Sequence, residues 1–158
     1  MIAPIASAGM LIRRPVAEVF EAFVDPAITR RFWFSEGSGR LAPGARVTWT
    51  WGMYGFVSPA VVTAFESGRR IAVDWGEGED MTQVEWAFEA RGSEQTFVTV
   101  AQSGFSGDGD ARVAAALDGM NGFTLVLAGA KIWQEHAIEP RFVLDRHPEM
   151  RVADWRDQ

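Results

Sequence analysis

The chain has 158 residues, a length typical of a single domain, and it contains no cysteine, which excludes disulfide bonds, thiolate metal sites and catalytic thiols. Its 15 basic and 21 acidic residues give a net charge of −6, so we expect no nucleic-acid binding through a basic surface. Aromatic residues are numerous, with 11 Phe, 7 Trp and one Tyr, and such side chains form cores and the walls of apolar pockets.

Two uncharged segments resemble membrane or export signals. Residues 47–65 carry no charge, but Val47 to Trp51 alternates with period two and glycine and proline interrupt the rest, which indicates a strand. The apolar segment 1–12 is followed by Arg13 and Arg14, whereas a secretory signal carries its basic residues in front. We therefore predict no membrane insertion, a cytoplasmic protein, and a first strand within segment 1–12.

Two short helices are predicted next. Val16, Val19, Phe20 and Phe23 repeat at helical spacing behind Pro15, and proline suits the first turn of a helix. The pair Asp25-Pro26 ends this helix and starts a second one that runs to residue 31. A polar connection rich in glycine follows at 37–44.

Five strands follow with period-two alternation, at 46–51, 56–66, 70–75, 82–90 and 96–104. The gaps between them are short, which favours an antiparallel meander, because parallel neighbours need long crossovers. With the first strand they make a six-stranded sheet. One face of it is apolar, as Val84, Trp86 and Phe88 show, and must be covered.

A long helix at 111–137 is predicted to be the cover. Apolar and mixed side chains form a stripe along it; the stripe consists of Val113, Leu117, Met120, Thr124, Leu127 and Lys131, flanked by Phe123 and Ala130. Gly119, Gly122 and Gly129 are poor helix formers, so they predict a kink or the close approach of another backbone.

Pro140 ends the long helix, and we divide the chain there into a domain at 1–140 and a tail at 141–158. Phe142 and Trp155 are too apolar for a freely solvated terminus. We expect them to pack against the domain or against a second copy of the chain, which makes a homodimer a prediction.

The order of these elements resembles the helix-grip fold of the START-like (SRPBCC) superfamily, an α+β fold in which a curved antiparallel sheet wraps the last helix. Within it the chain is similar to the branch of the C-terminal domain of the heat-shock-protein-90 ATPase activator. The matching segments are Pro15 to Phe23 with Asp25-Pro26, Phe32-Trp33, Arg69 to Trp75, Thr82 to Glu89, Ser103 to Phe105, and Val126 to Lys131 with Glu135-His136. The resemblance implies a cavity between sheet and helix for apolar or aromatic small molecules, and it transfers no catalytic residue.

The residues themselves suggest little chemistry. His136 and His147 belong to no catalytic triad or metal motif, and His136 fits a cation near the end of a helix. We predict no metal, no cofactor and no nucleotide requirement. An enzyme in the same cavity would need an inward acid, base or electrophile, and the candidates are Asp74, Tyr54 and Arg46.

Three functions from different classes remain. The first is non-catalytic binding of an apolar or aromatic small molecule; the second is a cyclase-like or dehydratase-like enzyme; the third is a co-chaperone-like interaction module. For the first, the predicted pocket residues are Trp49, Trp51, Trp75, Trp86, Phe88, Met120, Phe123 and Leu127, with Phe32 and Trp33 near the mouth.

Overall fold

A single antiparallel sheet and one long helix make up most of the structure, a computed structural model that describes residues 2–153 and Trp155. The strands are β1 (Ala6–Ile12), β2 (Glu36–Gly37), β3 (Arg46–Trp51), β4 (Phe56–Glu66), β5 (Arg70–Trp75), β6 (Thr82–Ala90) and β7 (Thr96–Ser103), and the helices are α1 (Val16–Val24), α2 (Pro26–Thr29), α3 (Gly109–His136) and α4 (Phe142–Arg146). The spatial order is β1-β7-β6-β5-β4-β3-β2, and every pairing is antiparallel. This confirms the helix-grip architecture, in which the sheet curls around the long helix.

The sheet has seven strands in its described part, so the predicted count of six was wrong. The additional strand is β2, where Glu36 pairs with Thr50 and Gly37 with Trp49 at the outer edge of β3. Two residues are too few to show a period, and the segment is polar and rich in glycine, which predicts a connection. Ser38 extends the contact, since its backbone N–H donates to the carbonyl of Thr48 over 2.9 Å.

The two short helices form because their local sequences provide the right ends and a single apolar side. Pro15 stands directly before α1, and Val19, Phe20 and Phe23 of that helix are buried. Asp25 caps α2, accepting a hydrogen bond from the N–H of Ala27 over 2.9 Å. These helices bring residues 32–34, Phe-Trp-Phe, into the core between the sheet and α3.

Helix α3 crosses the concave face of the sheet. Asp108 is its N-cap, and the side chain of this residue accepts a hydrogen bond from the N–H of Ala111 over 2.8 Å. By length and composition α3 could cross a membrane, with a mean hydropathy of 1.4 over 18 residues. Core helices of soluble proteins share these properties, and α3 packs on the sheet through Phe123, Val126, Leu127 and Ala130, all buried.

The residues after Pro140 fold back onto the domain. The hydroxyl of Tyr54 donates to the carbonyl of Val143, and the backbone N–H of Val152 donates to the carbonyl of Met53 over 2.8 Å. Both contacts join the tail to the domain of the same chain, so they do not test whether two copies associate. The homodimer predicted from the apolar tail therefore stays a prediction.

Candidate functional site

A cavity of about 410 Å³ lies between α3 and the concave face of the sheet. Its aromatic wall consists of Trp33, Phe56, Trp75, Phe105 and Phe123. Its polar groups are Ser58, Asp80, Thr82, Gln102 and Asp118. A mostly apolar enclosure with a few convergent polar side chains is the usual form of a small-molecule site.

The aromatic wall is organised around Trp33, which follows α2. Its ring centroid lies 4.9 Å from that of Trp49 and 5.7 to 5.8 Å from those of Trp51, Trp75, Trp86 and Phe123. Most of these contacts are tilted or edge-to-face, the geometries that aromatic pairs prefer. The cavity wall is therefore the open side of a packed aromatic core.

The predicted pocket residues fall into three groups. Trp33, Trp75 and Phe123 line the cavity. Six others are buried in the core beside it; these are Phe32, Trp49, Trp51, Trp86, Phe88 and Leu127. Met120 lies outside the cavity on the outer side of α3, where 42% of it is exposed.

The outward position of Met120 has a simple geometric cause. The buried side of α3 carries Ala116, Phe123, Val126, Leu127 and Ala130. It is turned by about 100°, one residue of a helix, from the stripe that we predicted. In the first half of α3 the inward side carries only small residues. The larger Val113, Leu117 and Met120 lie on the outward side, and their apolar pattern therefore wrongly predicted that side to be buried.

The polar residues of the cavity were missing from the prediction, although the sequence contains a signal for them. Gln102 shares the inward phase of Val98 and Val100, and Thr82 shares that of Val84. Ser58 is likewise inward on β4. A polar residue at an inward position of an alternating strand is a candidate pocket residue, because buried polar groups need a partner.

The three glycines of α3 play different parts. A Cβ atom on Gly119 would lie 2.5 Å from Oε1 of Gln102, and one on Gly129 would lie 3.1 Å from Cβ of Phe32. These two permit the close approach mainly of side chains, whereas we predicted a kink or the close approach of another backbone. Gly122 lines the cavity and has no atom within 4 Å of the position of a Cβ. Its missing side chain leaves open space there.

A second, smaller cavity of about 210 Å³ lies between residues 30–36 and the tail. Trp33 and Val143 border both cavities, so α4 stands between them. Burial raises the pKa of Tyr54, whose hydroxyl anchors α4 at Val143. Arg31 in this cavity is paired with Glu139 over 2.6 Å. Five charged residues line this cavity and two line the larger one, so this cavity is less suited to an apolar ligand.

None of the three candidate catalytic residues is among the side chains that line the larger cavity in the described part of the chain. Asp74 alternates with the inward Val73 on β5, Arg46 is exposed, and Tyr54 is engaged with α4. Across residues 2–153 and Trp155, no group of three His, Asp or Glu side chains could hold a metal ion. His147 lies 3.7 Å from Glu149 in the tail.

Solved structures share this architecture. Protein SSP2350 from Staphylococcus saprophyticus is 28% identical, with a TM-score of 0.75 over 87% of this chain and 96% of its own. DynU16, a protein of the dynemicin biosynthetic locus, is 21% identical with a TM-score of 0.69; it covers 97% of this chain, which spans only 51% of DynU16. The Aha1 dimer from Colwellia psychrerythraea is 16% identical, with a TM-score of 0.69 over 86% of this chain and 98% of its own.

Sequence comparisons agree with the resemblance seen in the motifs. No curated protein matches the chain. The profile of the family described as "Activator of Hsp90 ATPase homolog 1-like protein" matches residues 13–128, which includes α1, α2, β2 to β7 and the first two thirds of α3. The chain belongs to this family.

Proposed function

We propose that the protein binds an apolar, aromatic small molecule in the cavity between α3 and the sheet. The observation that carries the proposal is Gly122, which lines the cavity together with Trp75 and Phe123 and has no atom within 4 Å of the position of a Cβ. An alanine would fill part of this space and stabilise the helix by about 1 kcal/mol, since glycine is a poor helix former. A core selected for packing alone gains nothing from glycine here.

The size and lining of the cavity agree with this role. About 410 Å³ lies in the range of small-molecule sites, and five of its lining residues are aromatic. Trp33 is held by several neighbouring rings, so one wall is rigid before a ligand arrives. A preformed wall lowers the ordering cost of binding.

Titration calorimetry with a neutral aromatic probe, 1-naphthylmethanol, tests the proposal. We expect saturable binding to the wild-type protein and at least about tenfold weaker binding to Gly122→Leu, whose side chain occupies the cavity. Asn121→Leu is the matched control, since it adds a similar side chain at the neighbouring exposed position. Absence of saturable binding, or equal binding by Gly122→Leu and the control, would overturn the proposal.

The interaction module is the second candidate, favoured by one observation. Val113, Leu117 and Met120 expose 50%, 57% and 42% of their surface at helical spacing on the outer side of α3. Scattered exposed apolar residues are common on soluble proteins, whereas a cavity with inward polar groups is not. Normal probe binding by Leu117→Ser, with loss of a protein partner, would separate the two roles.

A further inference from the structure

The two ends of the cavity differ in chemistry. Trp75 and Phe123 stand at the aromatic wall. Thr82 lies directly opposite Trp75 in the β5–β6 register, and the amide nitrogen of Gln102 donates to its hydroxyl over 3.0 Å. Asp80, two residues before Thr82, also lines the cavity. Thr82 and Gln102 are therefore paired with each other beside Trp75, and Asp80 precedes them in the chain.

Helix α3 completes this polar end. Gly119 lies against Oε1 of Gln102, and its neighbour Asp118 lines the cavity. We call Asp80, Thr82, Gln102 and Asp118 the polar end of the cavity. The sheet side contributes Asp80, Thr82 and Gln102 to it, and helix α3 contributes Asp118.

The hydrogen-bonding capacity of Gln102 is only partly used. The residue is 7% exposed, and its amide nitrogen is satisfied by Thr82. In the described part of the chain no donor reaches its carbonyl oxygen. This oxygen can accept a hydrogen bond from a ligand that brings a donor.

The charges around the cavity have one sign. Asp80 and Asp118 are its charged lining residues, and among the described residues no Lys, Arg or His lines it. Two carboxylates repel an anionic ligand and attract a cationic one. An ammonium group is complementary to this end because it offers three donors and a positive charge.

We infer that the cavity selects aromatic ligands that carry a protonated amine, with the ring against the aromatic wall and the ammonium group at the polar end. This inference rests on the proposed function and names the ligand class of the same cavity. It distinguishes the site from one that binds fatty acids or other carboxylates, whose charge Asp80 and Asp118 oppose.

Three probes with the same ring test the inference by calorimetry at neutral pH and low salt. They are 1-naphthylmethylamine, 1-naphthylmethanol and 1-naphthylacetate, which are cationic, neutral and anionic. We expect the amine to bind about fivefold tighter than the alcohol, and the carboxylate about fivefold weaker, as for partly exposed ion pairs. High salt should reduce both differences in affinity, because it screens the charges of the probes and of the carboxylates.

Substitutions test whether the polar end causes the preference for the amine probe. In Asp80→Asn/Asp118→Asn we expect the three affinities to converge within about twofold. Glu94→Gln with Glu89→Gln removes two negative charges near the β6–β7 turn and should leave the preference intact, which controls for net charge. Gln102→Met should weaken the amine about fivefold, because it lacks the acceptor.

The outcomes separate the two ideas. If 1-naphthylmethanol does not bind, the proposed function fails and this inference fails with it. If the alcohol binds but the amine binds no tighter than the carboxylate, only the inference is overturned. An amine preference that survives in Asp80→Asn/Asp118→Asn, or one that the net-charge control loses to the same extent, would overturn the role of these carboxylates.

Discussion

Gly122 and Gly129 lie on the same side of α3, seven residues apart, yet their surroundings are opposite. The Cβ position of Gly122 faces open cavity, whereas that of Gly129 lies 3.1 Å from Cβ of Phe32 and from Cγ of Pro140. One glycine therefore preserves space and the other permits contact. The same substitution at the two positions should have opposite effects.

We expect Gly122→Ala to raise the free energy of unfolding by about 1 kcal/mol, because alanine is the better helix former and meets no neighbour. Gly129→Ala should lower it by about 1 to 3 kcal/mol through overpacking against Phe32. Urea unfolding of both variants measures the difference. A shift in the same direction for both would contradict the assigned surroundings.

The central position of Trp33 gives a second prediction. Truncation by Trp33→Ala should destabilise the protein by about 3 to 5 kcal/mol, since the ring packs against those of Phe34, Trp49, Trp51, Trp75, Trp86 and Phe123. Phe56→Ala is the control, because Phe56 also lines the cavity but is 51% exposed, and its loss should be about 1 kcal/mol. Similar losses in the two variants would show that Trp33 is not central to the core.

Most of the sheet could be predicted because its strands alternate strictly. In β6, buried Thr82, Val84, Trp86 and Phe88 alternate with exposed residues, and the short turns leave only antiparallel pairing. The two-residue β2 has no period to detect, and its pairing with β3 depends on the path of residues 34–38. Such a tertiary contact leaves no local pattern.

The cavity was predicted less completely than the fold for a physical reason. Large aromatic residues such as Trp49 and Trp86 read equally well as pocket lining or as core, and the structure places both in the core. The cavity exists where side chains are small or absent, as at Ala115 and Gly122. A pattern of apolar residues shows which side chains are buried, but it does not show where small side chains leave space between them.

The contact between the tail and the domain gives a third prediction, based on Gly52 and Trp155. A Cβ atom on Gly52 would lie 2.6 Å from Cζ3 of Trp155. Trp155→Ala should lower the free energy of unfolding by about 2 kcal/mol, because buried apolar surface is lost. Gly52→Ala should also lower it, because the added methyl group displaces the indole. In the double variant the clash is absent, so the two effects should fall short of additivity by about 1 kcal/mol. Strict additivity in urea unfolding would show that the tail does not dock there.

The last prediction concerns pH and the junction between α3 and β1. The backbone N–H of Arg13 and the ammonium of Lys131 both donate to Oε2 of Glu135, over 3.0 and 2.6 Å, and Lys131 also donates to the carbonyl of Leu11. Burial alone would raise the pKa of Glu135, but the hydrogen bonds from Arg13 and Lys131 outweigh it and lower the pKa below its ordinary value of 4.5. The unfolded chain therefore binds this proton more readily than the folded one.

A lowered folded pKa means that the stabilisation is complete above the unfolded value and is lost as the pH falls through the folded value. At pH 7 we expect Glu135→Gln to lower the free energy of unfolding by about 1 to 2 kcal/mol, since it removes the ion pair and weakens the contact to Arg13. At about pH 3 the difference between the two proteins should be smaller, because the stabilisation is lost as the pH falls through the folded pKa. Glu94→Gln, in the exposed β6–β7 turn, should match the wild type at both pH values. Urea unfolding at the two pH values measures this, and a deficit of Glu135→Gln that stays constant or grows in acid would contradict the assigned contacts.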